Sequence, residues 1–480
     1  MCAPAVIPGC SECDDLRAKL HAAEERLRLQ DDRISELERK LAGASKNSQT
    51  SSKPPSSDIV NPSRNKNPGH PKKRKKGGQP GHARHERQLL DLADVDDLFE
   101  WRVSCCPCCA GRLVDAGVEP ERFQQFELIP KPVRIEEHRP IVQWCARCQK
   151  QFIPQLPEEL RKAGLAGPRL TAMVGWLKGV CHMSFSCIRK YFRDVVGVPI
   201  SRGMLAKLIQ KVSQSLKDPY EELLAAAMHE DSLNVDETGH KDNGKRMWTW
   251  CFRAHLYTLF KISPSRGSDV LLEVLGKEFN GLLGCDYFSA YRKYMRLNEN
   301  ALLQFCLAHL IRDVRFLVEH PNAKNHAFGK QLLDLLKKLF GTIHRRAEYA
   351  SEATFRKALN SISYDIIWLA VEETADTREA YNIAERFLEH ADSYFRFITN
   401  PRLAPTNNLA EQAIRFVAIH RRMTQGTRSP RGQQWFERIC TVIVTCDQQR
   451  RSTFEYIFNS VSAFLSGEPA PSLLPKLDST

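Results

Sequence analysis

The stretch Ser232-Leu233-Asn234-Val235-Asp236-Glu237-Thr238 decides how the rest of the chain is read. Leu233 and Val235 alternate with polar neighbours, the period of a half-buried strand, and Asp236 is expected at its end. A carboxylate there is held by a stiff element and faces solvent or a cleft. Glu237 points to the other side and is left out of the expected site. Outward from this strand, Asp242-Asn243-Gly244 reads as a turn, MWTWCF as a second strand and LYTLFKI as a third. SDVLLEVLGKEF has the spacing of an amphipathic helix, and GLLGCD reads as a short buried strand ending at Asp286. Residues 300–400 read as helices throughout. The amphipathic segment NNLAEQAIRFVAI then carries Glu411 in its first turn, with Asn407 or Asn408 as its cap.

Three strands, a helix and a fourth strand, with acids on the first and fourth, is the order of a ribonuclease H-like core. Asp236, Asp286 and Glu411 are oxygen donors that can hold two magnesium or manganese ions for in-line attack on a phosphodiester. Each acid alone has a plainer reading: a strand-end acid is usually solvated, and a Glu near a helix start complements the dipole.

With 480 residues the chain is too long for one core and divides into several domains. A net charge of +13 and a pI near 9.0 favour a polyanionic partner. No run approaches the roughly 20 apolar residues needed to span a bilayer, and MCAPAVIPGC lacks the pattern of a signal peptide. The 16 cysteines, scattered outside two tight pairs, do not have the pattern of a disulfide framework, so a reducing cytoplasm and no membrane partner are expected.

From Cys13 to Leu41 apolar residues recur at three and four. Leu20, Leu27, Ile34 and Leu41 take one heptad position, and Leu16, Ala23, Gln30 and Leu37 the other. In a parallel dimer Lys19 faces Glu24, Arg26 faces Asp31 and Arg33 faces Glu38, all attractive, so 13–44 is expected to be a dimerising coiled coil. Residues 45–90 have little to bury; they form a flexible basic linker in which Lys72, Lys73, Arg74, Lys75 and Lys76 track phosphates. CCPCC and WCARC supply two Cys-x-x-Cys pairs, and tetrahedral zinc needs four thiolates from two such turns. Cys106, Cys109, Cys145 and Cys148 are chosen as ligands of one structural zinc ion in a 91–160 domain, over a register using Cys105 and Cys108. Residues 161–225 read as short helices of helix-turn-helix type. Ser201 caps the last of them, and Arg202, Lys207 and Lys211 are in reach of DNA.

Cys306 and His309 lie three apart on one helical face, but two ligands do not close a metal site, and packing against the core is the plainer reading. HRRMTQGTRSPRGQQW, with Arg421 and Arg422, is basic and turn-rich and can hold DNA; helix returns from Phe436 to Leu465.

In order and spacing, SSKPPSSD, GGQPGH, CPCC with CARC, VDET, CDYFSAY, CLAHLIRD and NNLAEQAIR resemble the transposases of the insertion-sequence-66 family along nearly the whole chain. The resemblance implies a multidomain α+β protein whose Asp-Asp-Glu triad is Asp236, Asp286 and Glu411. The ribonuclease H-like core then spans 226–299 and 401–430, with a helical insertion over 300–400 and a C-terminal helical element over 431–480. It also implies metal-dependent cleavage and strand transfer at the ends of an insertion sequence, with DNA and accessory proteins of the same element as partners. Many related transposases carry a basic residue seven positions after the Glu. Here Ala418 stands there, and Arg415 is expected to contact DNA instead. The competing expectation is a non-catalytic DNA-binding protein derived from a transposase.

Overall fold

The structure is a computed structural model. It describes residues 11–44, 46–47, 49–50, 89–102, 107–110, 112, 122, 124–125, 129, 132–145, 147, 150–400 and 403–474. The chain is mixed α/β, mostly helical around one mixed sheet. It divides into two units, residues 65–137 and the remainder.

In the smaller unit Leu90 exchanges two hydrogen bonds with the side chain of Gln124, and its carbonyl also accepts from Arg122. Most of its described large apolar side chains face solvent, with Trp101 93% exposed. Cys109 is exposed and is followed by Ala110 at φ 56°, the left-handed region that favours glycine. Cys106, Lys72, Lys73, Arg74, Lys75 and Lys76 lie outside the described residues, as does Cys148 of the larger unit.

The larger unit begins with helix α1 (Ser11–Ala44). Leu20, Leu27, Ile34 and Leu41 are all more than half exposed along it. Within the single chain two of the residues expected to pair between protomers have intrachain partners. Arg33 bonds Glu36 one turn on, and Glu38 accepts from Asn322. A hairpin follows, β1 (Gln143–Cys145) against β2 (Lys150–Phe152), with Cys145 ending β1 at the turn. Next come α2 (Glu158–Ala163), α3 (Pro168–Gly179), α4 (Phe185–Tyr191, prolonged by a π turn), α5 (Arg202–Ser215) and α6 (Lys217–Ala226). Ser201 caps α5, its hydroxyl accepting from the Met204 amide. Lys211 is not free for DNA. Its ammonium donates to the carbonyls of Lys162 and Ala163 and so closes the C-terminus of α2. Lys207 is exposed, and Arg202 reaches Ser186.

The sheet uses β3 (Ser232–Asp242), β4 (Lys245–Arg253), β5 (Thr258–Ser263), β6 (Leu282–Cys285) and β7 (Leu302–Phe305), in the order β5-β4-β3-β6-β7. The first three are antiparallel, and β3, β6 and β7 are parallel to one another. Asn243 and Gly244 both take positive φ at the β3–β4 turn, as a two-residue hairpin requires. Helices α7 (Ser268–Leu275) and α8 (Ser289–Leu297) make the crossovers that parallel strands need. Two expectations fail here. Asp236 is mid-strand rather than terminal, because β3 runs on with β4 beyond its last pair with β6, Asn234 opposite Gly284. Residues 300–400 are not helical throughout: LLQF is β7, an apolar run buried at three of its four positions and too short to show a period.

Four helices follow β7: α9 (Leu307–Val318), α10 (Ala323–His344), α11 (Glu352–Val371) and α12 (Arg378–Thr399). The chain then returns as α13 (Asn408–Thr424) across β3 and β4, continues as α14 (Pro430–Gln448) along β5, and ends in α15 (Thr453–Ser466). Helix α14 therefore starts six residues before the expected Phe436, and a break at residues 449–452 separates it from α15. Edge strand β5 would otherwise expose three amides. Side chains four apart on α14 cover them: Glu437 accepts from Ile262, Thr441 from Phe260 and Thr445 from Thr258. Further along, α14 and α15 pack with α3 and α5. Gly179 lies so close to α14 that a Cβ there would meet Ile439 at 2.6 Å.

Candidate active site

Alternation along β3 separates two sets of side chains. Leu233, Val235 and Glu237 are buried on one face, and Asn234, Asp236 and Thr238 face α13 on the other. Asp236 is half-buried, and its Oδ1 accepts from the Glu237 amide at 2.9 Å. Asp286 follows β6, and its Oδ1 accepts from the Phe288 amide at 2.9 Å, a local turn that leads into α8. Glu411 lies in the first turn of α13.

A knot at the ends of β6 and β7 brings these three segments together. Cys306, following β7, donates its amide to the Cys285 carbonyl at 2.8 Å, and its buried thiol accepts from the Asn407 amide at 3.1 Å. The Asn407 side chain does not cap α13 as expected. Its Nδ2 donates to the Val235 carbonyl at 2.7 Å, and its Oδ1 accepts from Asn234 at 2.9 Å. Gly284 makes room for this bridge: a Cβ there would come within 2.4 Å of the Asn234 amide nitrogen.

Electrostatics show which groups share the space. The Asp236 carboxyl is held well above its usual pKa by burial, then by the charges of Glu237 and Asp286, with Glu411 adding to them. His309, on α9, is pushed down by burial and by Arg312, against the pull of Asp286, Glu411 and Asp313. Asp286 and Glu411 therefore act on the same two neighbours. His309 Nδ1 lies 3.6 Å from Glu411, buried and without a hydrogen-bond partner. Arg312 Nη1 meets His309 Nε2 at 3.1 Å, and Nη2 reaches both Glu411 oxygens at 3.3 Å.

Asp236, Asp286 and Glu411 are oxygen donors of the kind hard divalent cations take, and the charges of Asp286 and Glu411 both act on Asp236. One nitrogen–sulfur set also lies there: ligand atoms of Cys306, His309 and Glu411 fall within 4.8 Å of one another. An arginine facing Nε2 places the imidazole proton on Nδ1, the tautomer that cannot ligate through Nδ1. His309 is thus a hydrogen-bond donor to this space in the arrangement seen.

Glu237 is part of the surroundings although it faces away. Tyr291 donates to one of its oxygens and Arg266 to the other, at 2.5 and 2.8 Å. Burial and the Asp286 charge raise it to about 7. Arg266 is stacked over Phe288, so Glu237 ties β3 to the segment that follows Asp286. Of the basic residues expected near DNA, Arg415 and Arg422 are exposed on α13, whereas Arg421 is half-buried and donates to Thr238. Arg312 and Asn407 were not singled out as site residues by sequence. The signal for Arg312 was its place three residues after His309 in CLAHLIRD, on the same helical face.

Residues 163–435 match the family model described as the transposase IS66 family, more than half of the chain, and residues 9–88 match a family of unknown function. The class of protein is therefore a transposase. The chain belongs to the IS66 transposase family. Two relatives from Sinorhizobium fredii (strain NBRC 101917 / NGR234) are similar to it, both described as uncharacterized: y4qI and y4hP. The first is 24% identical over 82% of this chain and 77% of its own length. The second is also 24% identical, over 73% and 70% respectively. Among the described residues no helix is long and apolar enough to cross a membrane.

Proposed function

We propose that this protein is an Asp-Asp-Glu DNA transposase that binds the ends of an insertion sequence and performs metal-dependent cleavage and strand transfer. The observation that carries the reading is the placement of three acids from distant parts of the chain: Asp236 on β3, Asp286 directly after the neighbouring parallel strand β6, and Glu411 in the first turn of a helix whose start is bonded to β3 through Asn407. The strand order β5-β4-β3-β6-β7, three antiparallel strands followed by two parallel ones, supports a ribonuclease H-like core with α9 to α12 as its insertion. Two magnesium or manganese ions held by the three carboxylates supply, when bound, an activated nucleophile and a Lewis acid for the departing oxygen. The residues of this chain do the positioning. Asn407 fixes the start of the Glu411 helix against β3, and the Asx turn at Asp286 fixes the second acid.

Around this core 13–44 is a homodimeric coiled coil, a reading supported by the exposed leucine row of α1. Residues 45–90 are a basic linker, and 91–160 a domain closed by zinc on Cys106, Cys109, Cys145 and Cys148. The left-handed Ala110 after Cys109 suits a metal knuckle. The described apolar side chains of residues 89–137 lack burial, which also fits a unit that needs a metal staple. Residues 161–225 form the helix-turn-helix-like region and 431–480 the C-terminal helical element. Arg202, Lys207, Arg415, Arg421 and Arg422 contact DNA. The protein acts in the bacterial cytoplasm, with accessory proteins of the same element as further partners.

The test is cleavage and joining of labelled DNA carrying the element's ends, with magnesium or manganese, beside Asp236→Ala, Asp286→Ala and Glu411→Ala. Wild type is expected to cut and join, and each variant to bind the ends without doing either. Full activity in any one variant removes that residue from the site.

A further inference from the structure

Among the described residues Asp236 and Asp286 have no ion pair within 4 Å; both rely on backbone amides. Glu411 does have a cation, Arg312, but the contact is loose. One nitrogen, Nη2, lies 3.3 Å from each carboxylate oxygen. Charge-assisted pairs normally close to about 2.7–2.9 Å, and two pairs nearby do so: Arg386 to Asp313 and Arg266 to Glu237, both at 2.7 Å. The Arg312 side chain also keeps 24% of its surface exposed. Its other hand, Nη1, is on the neutral His309 ring rather than on a second carboxylate.

We infer that Arg312 is an exchangeable counter-ion: it holds Glu411 in the DNA-free protein and passes to a DNA phosphate when the site loads. This rests on the proposed function. The charge count gives the reason. Three carboxylates without metal leave an excess of negative charge that one guanidinium partly offsets. With two divalent ions bound, the same guanidinium faces excess positive charge, and an incoming phosphate is its better partner. Arg312 and the ions therefore compete for Glu411, and DNA relieves the competition by taking Arg312 away. Linkage makes the effect reciprocal: DNA tightens metal binding, and metal tightens DNA binding.

The experiment measures Mn2+ affinity by the electron paramagnetic resonance signal of free Mn2+, on the full chain, with no turnover. It is run without DNA and with a pre-cut end duplex whose dideoxy 3′ terminus cannot react. Without DNA, Arg312→Gln is expected to bind Mn2+ on the order of 10-fold more tightly than wild type, a common size for coupled sites. The duplex is expected to tighten wild type by a similar factor and to leave Arg312→Gln unchanged. Arg312→Lys, which keeps the charge but not the double reach, is expected to fall between and guards against a folding defect in the first variant. Arg312→Gln binding no tighter than wild type, while Glu411→Gln weakens binding, overturns the exchange and leaves the site reading standing. Unchanged Mn2+ affinity in Glu411→Gln overturns both.

Discussion

Asn407 offers the sharpest test of how the site is built, because one side chain ties a helix start to two successive residues of β3. It is 2% exposed. Replacing it with Ala removes the donor to the Val235 carbonyl and the acceptor of the Asn234 amide. A buried group left without its partner costs about 1–3 kcal/mol. Val235 is fully buried, so its carbonyl bears the full penalty, while the half-buried Asn234 can recover part of its loss from water. The sum is about 2–4 kcal/mol. Asn407→Asp is expected to be worse than Ala. A carboxylate still accepts from Asn234, but it sets an oxygen against the Val235 carbonyl and adds a charge beside Glu411.

Urea unfolding followed by circular dichroism and by tryptophan fluorescence, to which Trp250, fully buried in β4 opposite β3, contributes, measures this order. The expected ranking is Asn, then Ala, then Asp. With the start of α13 released, Glu411 also loses its register, and cleavage is expected to fall on the order of 100-fold, the cost of a small misplacement at a reacting centre. Asn407→Asp matching wild type in stability refutes the donor bond to Val235 and with it this account of how the third acid is placed.

Thr441→Val deprives the buried Phe260 amide of its acceptor and is expected to destabilise by about 1–3 kcal/mol; Thr441→Ser, which keeps the oxygen, is expected to retain most of that in the same urea assay. Gly426 has φ 91°, and a Cβ there would meet the Lys241 carbonyl oxygen at 2.1 Å, so Gly426→Ala is expected to cost more than about 1 kcal/mol by thermal unfolding. His240 and His420 are buried and lowered to about 4 and about 3, chiefly by burial. The folded state thus binds fewer protons than the unfolded one below about pH 6.5. Their contribution is intact above that pH and is lost as pH falls toward 4 and 3, with a slope near 1.4 kcal/mol per pH unit for each ring. The raised carboxyls of Asp236 and Glu237 work in the opposite direction. The check is therefore the difference between wild type and His420→Leu between pH 7 and 4.5, where equal pH slopes would contradict the buried neutral ring.

Much of the core was legible because strand signals and turn chemistry agree locally. SLNVDET, the Asn243-Gly244 turn and the apolar GLLGC run each carry their own period or their own left-handed residues. What escaped depends on partners distant in sequence. LLQF gives no alternation because both of its faces are covered, so it merged with the helices that follow. Glu237 looked like a spare acid beside Asp236, and only Tyr291 and Arg266 make it a structural one. Asn407 looked like a helix cap, which is what asparagine before an amphipathic run normally is. Its side chain was drawn instead to a strand carbonyl that no local rule could place opposite it.

The same residues explain how Glu411 can be so far along the chain and still meet Asp236. The excursion through α9, α10, α11 and α12 leaves and returns at one point. The Leu307 amide donates to the Pro405 carbonyl at 2.9 Å, and the Asn407 amide to the Cys306 thiol at 3.1 Å. These bonds close the base of the excursion directly against β3 and β6. Closing a longer loop costs only about 0.6 kcal/mol for each doubling of its length, so the four helices can be large without loosening the third acid. The closure at Cys306 and Asn407 fixes where the Glu411 helix starts, and of the helices beyond it α9 returns to the acid through Arg312 and His309.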